Sequence, residues 1–268
     1  MADDRPIGVF DSGVGGLTVA RAIWELLPNE SVTYVGDGAH FPYGPRPVEE
    51  IRRYAMGIAE HLVAGGVKLL VVACNSIEVS AIGDIAAAAE VPVVGVIAPG
   101  VRAALRTTRN GRLGVIGTEA TIRTGGYQRA VGSGAALVTA ACPVFVEHVE
   151  RGDTTSPALR AAAARYLAPL EEEGVDTVIM GCTHYPLLSG LLQLELGPDV
   201  VLVSSAEETA KDVYAELVRA DALRDGAEPP THAFSTTGDP DAFRDLAERV
   251  LALEIPRVDT AVIGEDAA

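Results

Sequence analysis

Two stretches decide how this chain is read: Leu69-Leu70-Val71-Val72-Ala73-Cys74-Asn75-Ser76 and, 108 positions further on, Thr177-Val178-Ile179-Met180-Gly181-Cys182-Thr183. Each is a short, mostly apolar run without the in-out alternation of a strand that has one wet face. Each ends in a cysteine followed by a small polar residue. A strand apolar on both faces belongs between two layers of helices, as in parallel sheets. Similar runs at Ile7–Phe10, Val32–Val35, Lys68–Ala73, Val91–Ile97, Leu113–Ile116, Ala136–Ala141, Thr177–Met180 and Val200–Val203 are the candidate strands. Between them Val48–Ala64, Ser156–Glu173 and Ala206–Leu223 place apolar residues three and four apart, the spacing of an amphipathic helix. Strand and helix alternate almost throughout, which predicts an α/β chain with largely parallel sheets. The two cysteine-bearing strand ends read as a pseudo-repeat, one copy in each half. A length of 268 residues fits this, since it allows about 1.8 domains at roughly 150 residues each.

Composition excludes several classes of function. Lys and Arg number 21 against 37 Asp and Glu, a net charge of −16, so phosphate backbones and anionic membrane surfaces repel the chain, and neither nucleic acid nor membrane is expected as a partner. Three cysteines make an odd count, which suits free thiols in a reducing compartment rather than a stapled secreted scaffold. Met1-Ala2-Asp3-Asp4-Arg5-Pro6 is polar and acidic, with no apolar stretch behind it to act as a signal peptide. The apolar runs fall far short of the roughly 20 residues that span a bilayer. A soluble, cytoplasmic protein is expected.

Ligands of open α/β sheets sit at the carboxyl ends of the strands, and there the chemistry-bearing residues gather: Asp11-Ser12-Gly13, Gly36-Asp37, Cys74-Asn75-Ser76, Gly117-Thr118, Cys142-Pro143 and Gly181-Cys182-Thr183-His184. A cysteine between a strand end and a helix start lies at the positive end of the helix dipole, which favours thiolate. Two such thiols facing one carbon acid could remove a proton from one side and return one to the other, which is racemisation without a cofactor. The bland alternative is a pair of buried core cysteines, and Cys142 suits that description. His184 lies two residues beyond Cys182, so in extended backbone both side chains would point the same way and could share a proton. Asp11 reads either as a turn-forming or capping carboxylate or as a charged partner of the Cys74 thiol.

Other chemistries fit less well. A Schiff base with pyridoxal phosphate requires a lysine, and Lys68 and Lys211 lie outside the strand-end loops. Gly13-Val14-Gly15-Gly16 with Asp37 mimics a dinucleotide fingerprint, but the third glycine would fall at position 18, which is Thr18. The amides of Gly13–Gly16 could still receive a small carboxylate. Zinc would need Cys74, Cys142, Cys182 and His184 to converge without a local Cys-x₂₋₄-Cys pair.

Longer motifs point to a family. Phe10-Asp11-Ser12-Gly13-Val14-Gly15-Gly16-Leu17-Thr18-Val19, Tyr34-Val35-Gly36-Asp37, Pro42-Tyr43-Gly44-Pro45, Ala73-Cys74-Asn75, Ala141-Cys142-Pro143, Gly181-Cys182-Thr183-His184-Tyr185-Pro186-Leu187-Leu188 and Ser205-Ala206-Glu207-Glu208-Thr209-Ala210 resemble, along nearly the whole chain, the glutamate racemases of the cofactor-independent aspartate/glutamate racemase superfamily. The resemblance implies two α/β domains related by a pseudo-twofold axis, residues 1–97 with 209–268 and residues 98–208, with the active site in the cleft between them. It implies catalysis by Cys74 and Cys182, with Asp11 assisting the first thiol and His184 the second, and with Glu150 near the second. Substrate contacts would be Asp11, Ser12, Tyr43, Gly44, Asn75, Ser76, Thr183 and His184. The family makes D-glutamate for peptidoglycan, uses neither pyridoxal phosphate nor metal, and commonly forms dimers. An anionic substrate in so acidic a protein would then be held by helix N-termini after residues 12, 75 and 183, without any arginine.

The chain also departs from the family pattern. Ser76 stands where Thr is usual, Gly38 where Thr is usual, Ala98 where an acid is common and Glu147 where Pro is common. Glu78 lies four positions beyond Cys74; facing the site it would oppose a thiolate, and folded back it would complete a capping box with Asn75. Of the two, the capping box is expected. These departures leave open a racemase with another substrate such as aspartate, a dinucleotide-dependent enzyme, or a weakened binding protein.

Overall fold

A computed structural model of the chain describes residues 3–226 and 228–263. Met1, Ala2 and positions 264–268, which the expected first domain includes, lie outside the described residues, as does position 227. In chain order the elements are β1 (Ile7–Asp11), α1 (Leu17–Leu26), β2 (Val32–Gly36), α2 (Val48–Ala64), β3 (Leu69–Val72), α3 (Asn75–Ala88), β4 (Val93–Val94) and α4 (Ile97–Thr107). There follow β5 (Arg112–Gly117), α5 (Glu119–Arg123), α6 (Gly126–Val131), β6 (Ala136–Ala141), α7 (Val144–Glu150), α8 (Pro157–Glu172), β7 (Thr177–Gly181), α9 (Ser189–Leu196) and β8 (Val201–Val203). The chain closes with α10 (Ala206–Arg219), β9 (His232–Thr236), α11 (Pro240–Leu251) and β10 (Asp259–Thr260).

Two sheets result, in the orders β10-β9-β2-β1-β3-β4 and β6-β5-β7-β8, and all their strand pairs are parallel. Parallel neighbours need a crossover, and here helices supply it and cover both faces. In the first sheet Ile7, Val9 and Leu69 pack with Ala20, Ile23, Val213 and Leu217 on one side, while Phe10, Leu70 and Val72 pack with Ile51, Ile58, Ile77 and Ile85 on the other. β1, β3 and β7 are buried along their whole length, as their unbroken apolar character requires. The fold is therefore the two-sheet parallel α/β architecture expected. Among the described residues no helix is long and apolar enough to cross a membrane.

Three expectations need correction. Val91–Ile97 is not one strand: only Val93 and Val94 pair, beside Leu70 and Val71, and Ile97 opens α4. The carboxylate of Glu78 accepts hydrogen bonds from the amides of Val96 and Ile97 and so starts a helix where the local sequence favours a strand. β9 and β10 were not anticipated; His232-Ala-Phe-Ser-Thr carries too few aliphatic residues to announce a strand, yet it pairs with β2 over its whole length. The last helix of the interior ends at Arg219, because Asp221 adopts a positive φ of 52°, a conformation in which a helix cannot continue.

Lys68 and Lys211 are accounted for by structure. The ammonium of Lys68 is buried against the Glu30 carboxylate at 2.6 Å and donates to the carbonyls of Asp3 and Ala222, tying three segments together at the foot of β3. Lys211 pairs with Glu208 on α10.

Candidate active site

The carboxyl ends of β1 and β3 in one sheet, and of β5 and β7 in the other, open on a single cleft of about 640 Å³. Ser12, Tyr43, Gly44, Cys74, Asn75 and Ser76 line it from the first half; Thr118, Glu119, Glu147, Glu150, Arg151, Cys182, Thr183 and His184 line it from the second. The two cysteines thus reach one space from different sheets. Cys142 does not join them: it is fully buried, its Sγ donates to the Ala140 carbonyl at 3.7 Å, and it packs with Phe145 and Tyr185.

Cys74 is the N-cap of α3 and is only 6% exposed, with its thiol 3.7 Å from Ser12 Oγ. A helix N-terminus was expected to lower its pKa, and the opposite holds. Burial and the charge of Asp11 push the thiol well above its ordinary value, against the pull of the Ile77 amide and the Ser12 hydroxyl. Cys74 therefore keeps its proton.

Cys182, 7% exposed, follows β7 directly, and its Sγ lies 3.9 Å from Nδ1 of His184. The pair meets for a reason other than the one expected. The backbone is not extended; it bends, with His184 in helical conformation at φ −80° and ψ −28°, capping a 3₁₀ turn over Tyr185–Leu188 that precedes α9. Nε2 of His184 is 3.2 Å from Oε1 of Glu150, so Cys182, His184 and Glu150 form a chain. Burial would lower the imidazole pKa, but the bonds to Cys182 and Glu150 and nearby negative charge raise it to about 10. The sign of the linkage follows: this group stabilises the fold fully below about pH 6.5 and the contribution is lost as pH climbs through about 10. A nitrogen-15 NMR titration should find His184 protonated at pH 8, and Glu150→Gln should lower the midpoint by a unit or more, as loss of a neighbouring opposite charge does. A midpoint near 6.5 in the unmodified protein contradicts this.

Asp11 does not line the cleft. It is 0% exposed, and Oδ2 accepts the amide of Gly16 at 2.8 Å, which ties the glycine loop back onto the strand; Oδ1 is buried with no hydrogen-bond partner among the described residues. It acts on Cys74 through its charge. The same bond takes the Gly16 amide away from any ligand, contrary to the idea of a carboxylate cradle at Gly13–Gly16. Gly15 serves contact between the halves instead: a Cβ there would stand 2.4 Å from Oγ1 of Thr183 and 2.6 Å from the His184 ring, while Gly13 and Gly16 let the loop close on Phe41, Asp11 and Tyr34 of its own half. Asp37, the apparent ribose-binding acid, is buried with its oxygens occupied by Tyr43, His40 and Thr237.

Among the binding residues, Ser76 Oγ is 2.8 Å from Oγ1 of Thr118, which itself bonds Thr121 Oγ1 at 3.0 Å. Asn75 Oδ1 accepts from the Tyr127 hydroxyl at 2.7 Å, leaving its amide group for a ligand. Tyr43 spends its hydroxyl on Asp37 and lines the cleft beside Gly44. Sequence reasoning missed Thr118 as a lining residue, although the strand end Gly117-Thr118 marked it, and it missed Glu119. The expectation of a site without arginine is also corrected: Arg151 lines the cleft beyond the end of α7, in a loose 3.3 Å pair with Glu147. Glu78 is not part of the site; it is turned away to the start of α4, and burial raises its carboxyl to about 7 although the Val96 and Ile97 amides pull it back. The capping box is thus absent, since Cys74, not Asn75, caps α3. Among the described residues no three His, Cys, Asp or Glu side chains converge as metal ligands.

Comparison with known proteins gives a consistent picture. The Asp/Glu/Hydantoin racemase family profile matches residues 7–213. A glutamate racemase of Parafrankia sp. is 56% identical over 96% of this chain and 94% of its own length. That of Corynebacterium diphtheriae is 51% identical over 96% and 98%. The crystal structure of a glutamate racemase from Bacillus anthracis superposes with a TM-score of 0.91 at 42% identity, covering 96% of this chain and 97% of that one. The Francisella tularensis glutamate racemase, solved with D-glutamate, superposes at 0.90 with 31% identity, covering 97% and 98%.

Proposed function

This chain belongs to the Asp/Glu/Hydantoin racemase family, and from that premise we propose that it interconverts L- and D-glutamate with Cys74 and Cys182 as opposed acid and base. The observation that carries the reading is the meeting of two thiols, one from each sheet, in one cleft. One thiolate takes the Cα proton; the electron pair left on Cα spreads into the α-carboxylate; the thiol on the other face then delivers its proton to Cα. The product has the opposite configuration, and the two sulfurs have exchanged protonation states, so the next turnover runs in reverse or after proton exchange with water.

The resting site suits this division of labour. Cys74 carries a proton ready to give, and beside Cys182 the His184 imidazolium, held by Glu150, supplies positive charge for a thiolate. Asp11 assists Cys74 from behind, favouring the protonated thiol. Ser12, Tyr43, Gly44, Asn75, Ser76 and Thr183, joined by Thr118, hold the substrate's carboxylates and ammonium; Asp11 contributes charge rather than contact. The chemistry uses neither pyridoxal phosphate nor metal. We assign residues 1–97 with 209–268 and residues 98–208 to the two domains, and expect a cytoplasmic homodimer supplying D-glutamate to peptidoglycan synthesis.

Circular dichroism tests the reading. Pure L-glutamate and pure D-glutamate should each lose their signal to zero in the presence of folded protein, with aspartate turned over at least tenfold more slowly. An unchanging signal from both enantiomers of glutamate contradicts it.

A further inference from the structure

Glu78 is the residue of the cysteine motif that the proposed reaction leaves unused, and its surroundings are unusual. It sits in the first turn of α3, its amide bonded to the Cys74 carbonyl at 2.9 Å. Its side chain is almost wholly buried, and one carboxylate oxygen accepts both the Val96 and the Ile97 amides at the start of α4. The approach is close: a Cβ on Gly95 would stand 2.5 Å from the Glu78 carboxyl. Helix α4 in turn packs into the second half, where Ile97, Val101 and Ala104 share a core with Ile179 of β7, and β7 runs directly into Cys182.

The carboxylate therefore stands in a continuous line of contacts from the Cys74 turn, through α4, to the strand that carries Cys182. A carboxyl group suits the positive end of a helix, and two N–H donors to one buried oxygen make a stiff joint. The neighbouring positions of the same turn reach the second half independently, Asn75 to Tyr127 and Ser76 to Thr118. Glu78 differs from them in lying outside the cleft, so it acts on the reaction through the turn it holds and not by touching substrate.

We infer that Glu78 is a positioning residue that sets the placement of Cys74 relative to Cys182 by clamping the first turn of α3 to the N-terminus of α4. The inference rests on the two-thiol reading above. Two opposed thiols invert Cα only when both address it at once. If the clamp loosens, one thiol still removes the proton but often returns a solvent-derived one from the same side.

The test compares two rates in D₂O: deuterium entering recovered, uninverted glutamate, and inversion. Unmodified protein is measured first, together with Cys182→Ala; if the former does not racemise glutamate, or the latter does so freely, it is the underlying reading that fails. Given a two-thiol enzyme, Glu78→Ala should lower kcat by roughly tenfold or more, change KM by less than threefold, and raise the ratio of exchange to inversion at least fivefold. Glu78→Gln, which keeps an acceptor oxygen of the same reach, should restore kcat to within about threefold. Should the alanine variant fail to fold, Glu78→Asp decides, since a chain one methylene shorter cannot serve both amides; its exchange ratio should also rise. An exchange-to-inversion ratio equal to that of the unmodified protein in the folded Ala or Asp variant overturns the inference.

Discussion

Cys182→Ala and Cys74→Ala should each lower glutamate racemisation by roughly 10³-fold, within the range that positioned acid and base groups supply. Each variant keeps one thiol and so can still take a proton from one enantiomer, but nothing remains on the other face to return one. No other sulfur can substitute, because Cys142 is fully buried behind Phe145 and held above its ordinary pKa by that burial. Cys→Ala removes one sulfur from the wall of an open cleft and leaves no closed cavity, so melting temperature should move little. Loss of activity with an unchanged melt assigns the effect to chemistry. Racemisation within tenfold of the unmodified rate in either variant contradicts the opposed-thiol account.

Gly15→Ala should be nearly as damaging, although Gly15 carries no functional group. The methyl would stand 2.4–2.6 Å from Thr183 Oγ1 and the His184 ring, and the ring has no room to retreat, since it is held between Cys182 and Glu150. Forcing such a contact apart costs about 1–3 kcal/mol of stability. It also moves the imidazole from its thiol, and a displacement of about 1 Å in a reacting group is enough for roughly a 10²-fold loss in rate. Gly83, in the interior of α3 with nothing within 4 Å, supplies the control: Gly83→Ala should leave activity unchanged and raise stability by about 0.5–1 kcal/mol. Equal effects from the two substitutions rule out the close-approach explanation.

The glycine loop shows where the sequence was legible and where it was not. Gly13–Gly16 after an apolar strand announces close backbone approach, and Thr18 at the position of the third glycine weakens the dinucleotide fingerprint without excluding it. What Gly15 approaches, a histidine 169 residues away in the other half, has no local signature. The parallel α/β class and the strand ends were readable because buried strands need apolar residues on both faces, and Leu69–Val72 and Thr177–Gly181 have them. β9 was unreadable for the complementary reason: its residues are ordinary, and its place is fixed by pairing with β2 and by the contacts of His232 and Phe234 with Trp24.

Glu78 illustrates the same limit at the scale of one side chain. Its spacing from Asn75 suits a local cap, and competition from two unpaired amides across the fold decides otherwise. Asp11, likewise, was legible as a charged residue at a strand end, while its orientation toward Gly16 rather than the cleft depends on a loop bond that spacing cannot specify. Cys182 and His184 were correctly paired for a mistaken reason, since a bend and not an extended segment brings them together.

The most direct measurement of the two-thiol account follows L-glutamate in D₂O during the first few per cent of reaction, with mass spectrometry of both enantiomers. Opposed thiols predict that newly formed D-glutamate carries one deuterium at Cα while recovered L-glutamate remains protiated. Deuterium appearing in recovered L-glutamate as fast as in the product from the outset would mean that one group serves both faces, and the account would be wrong.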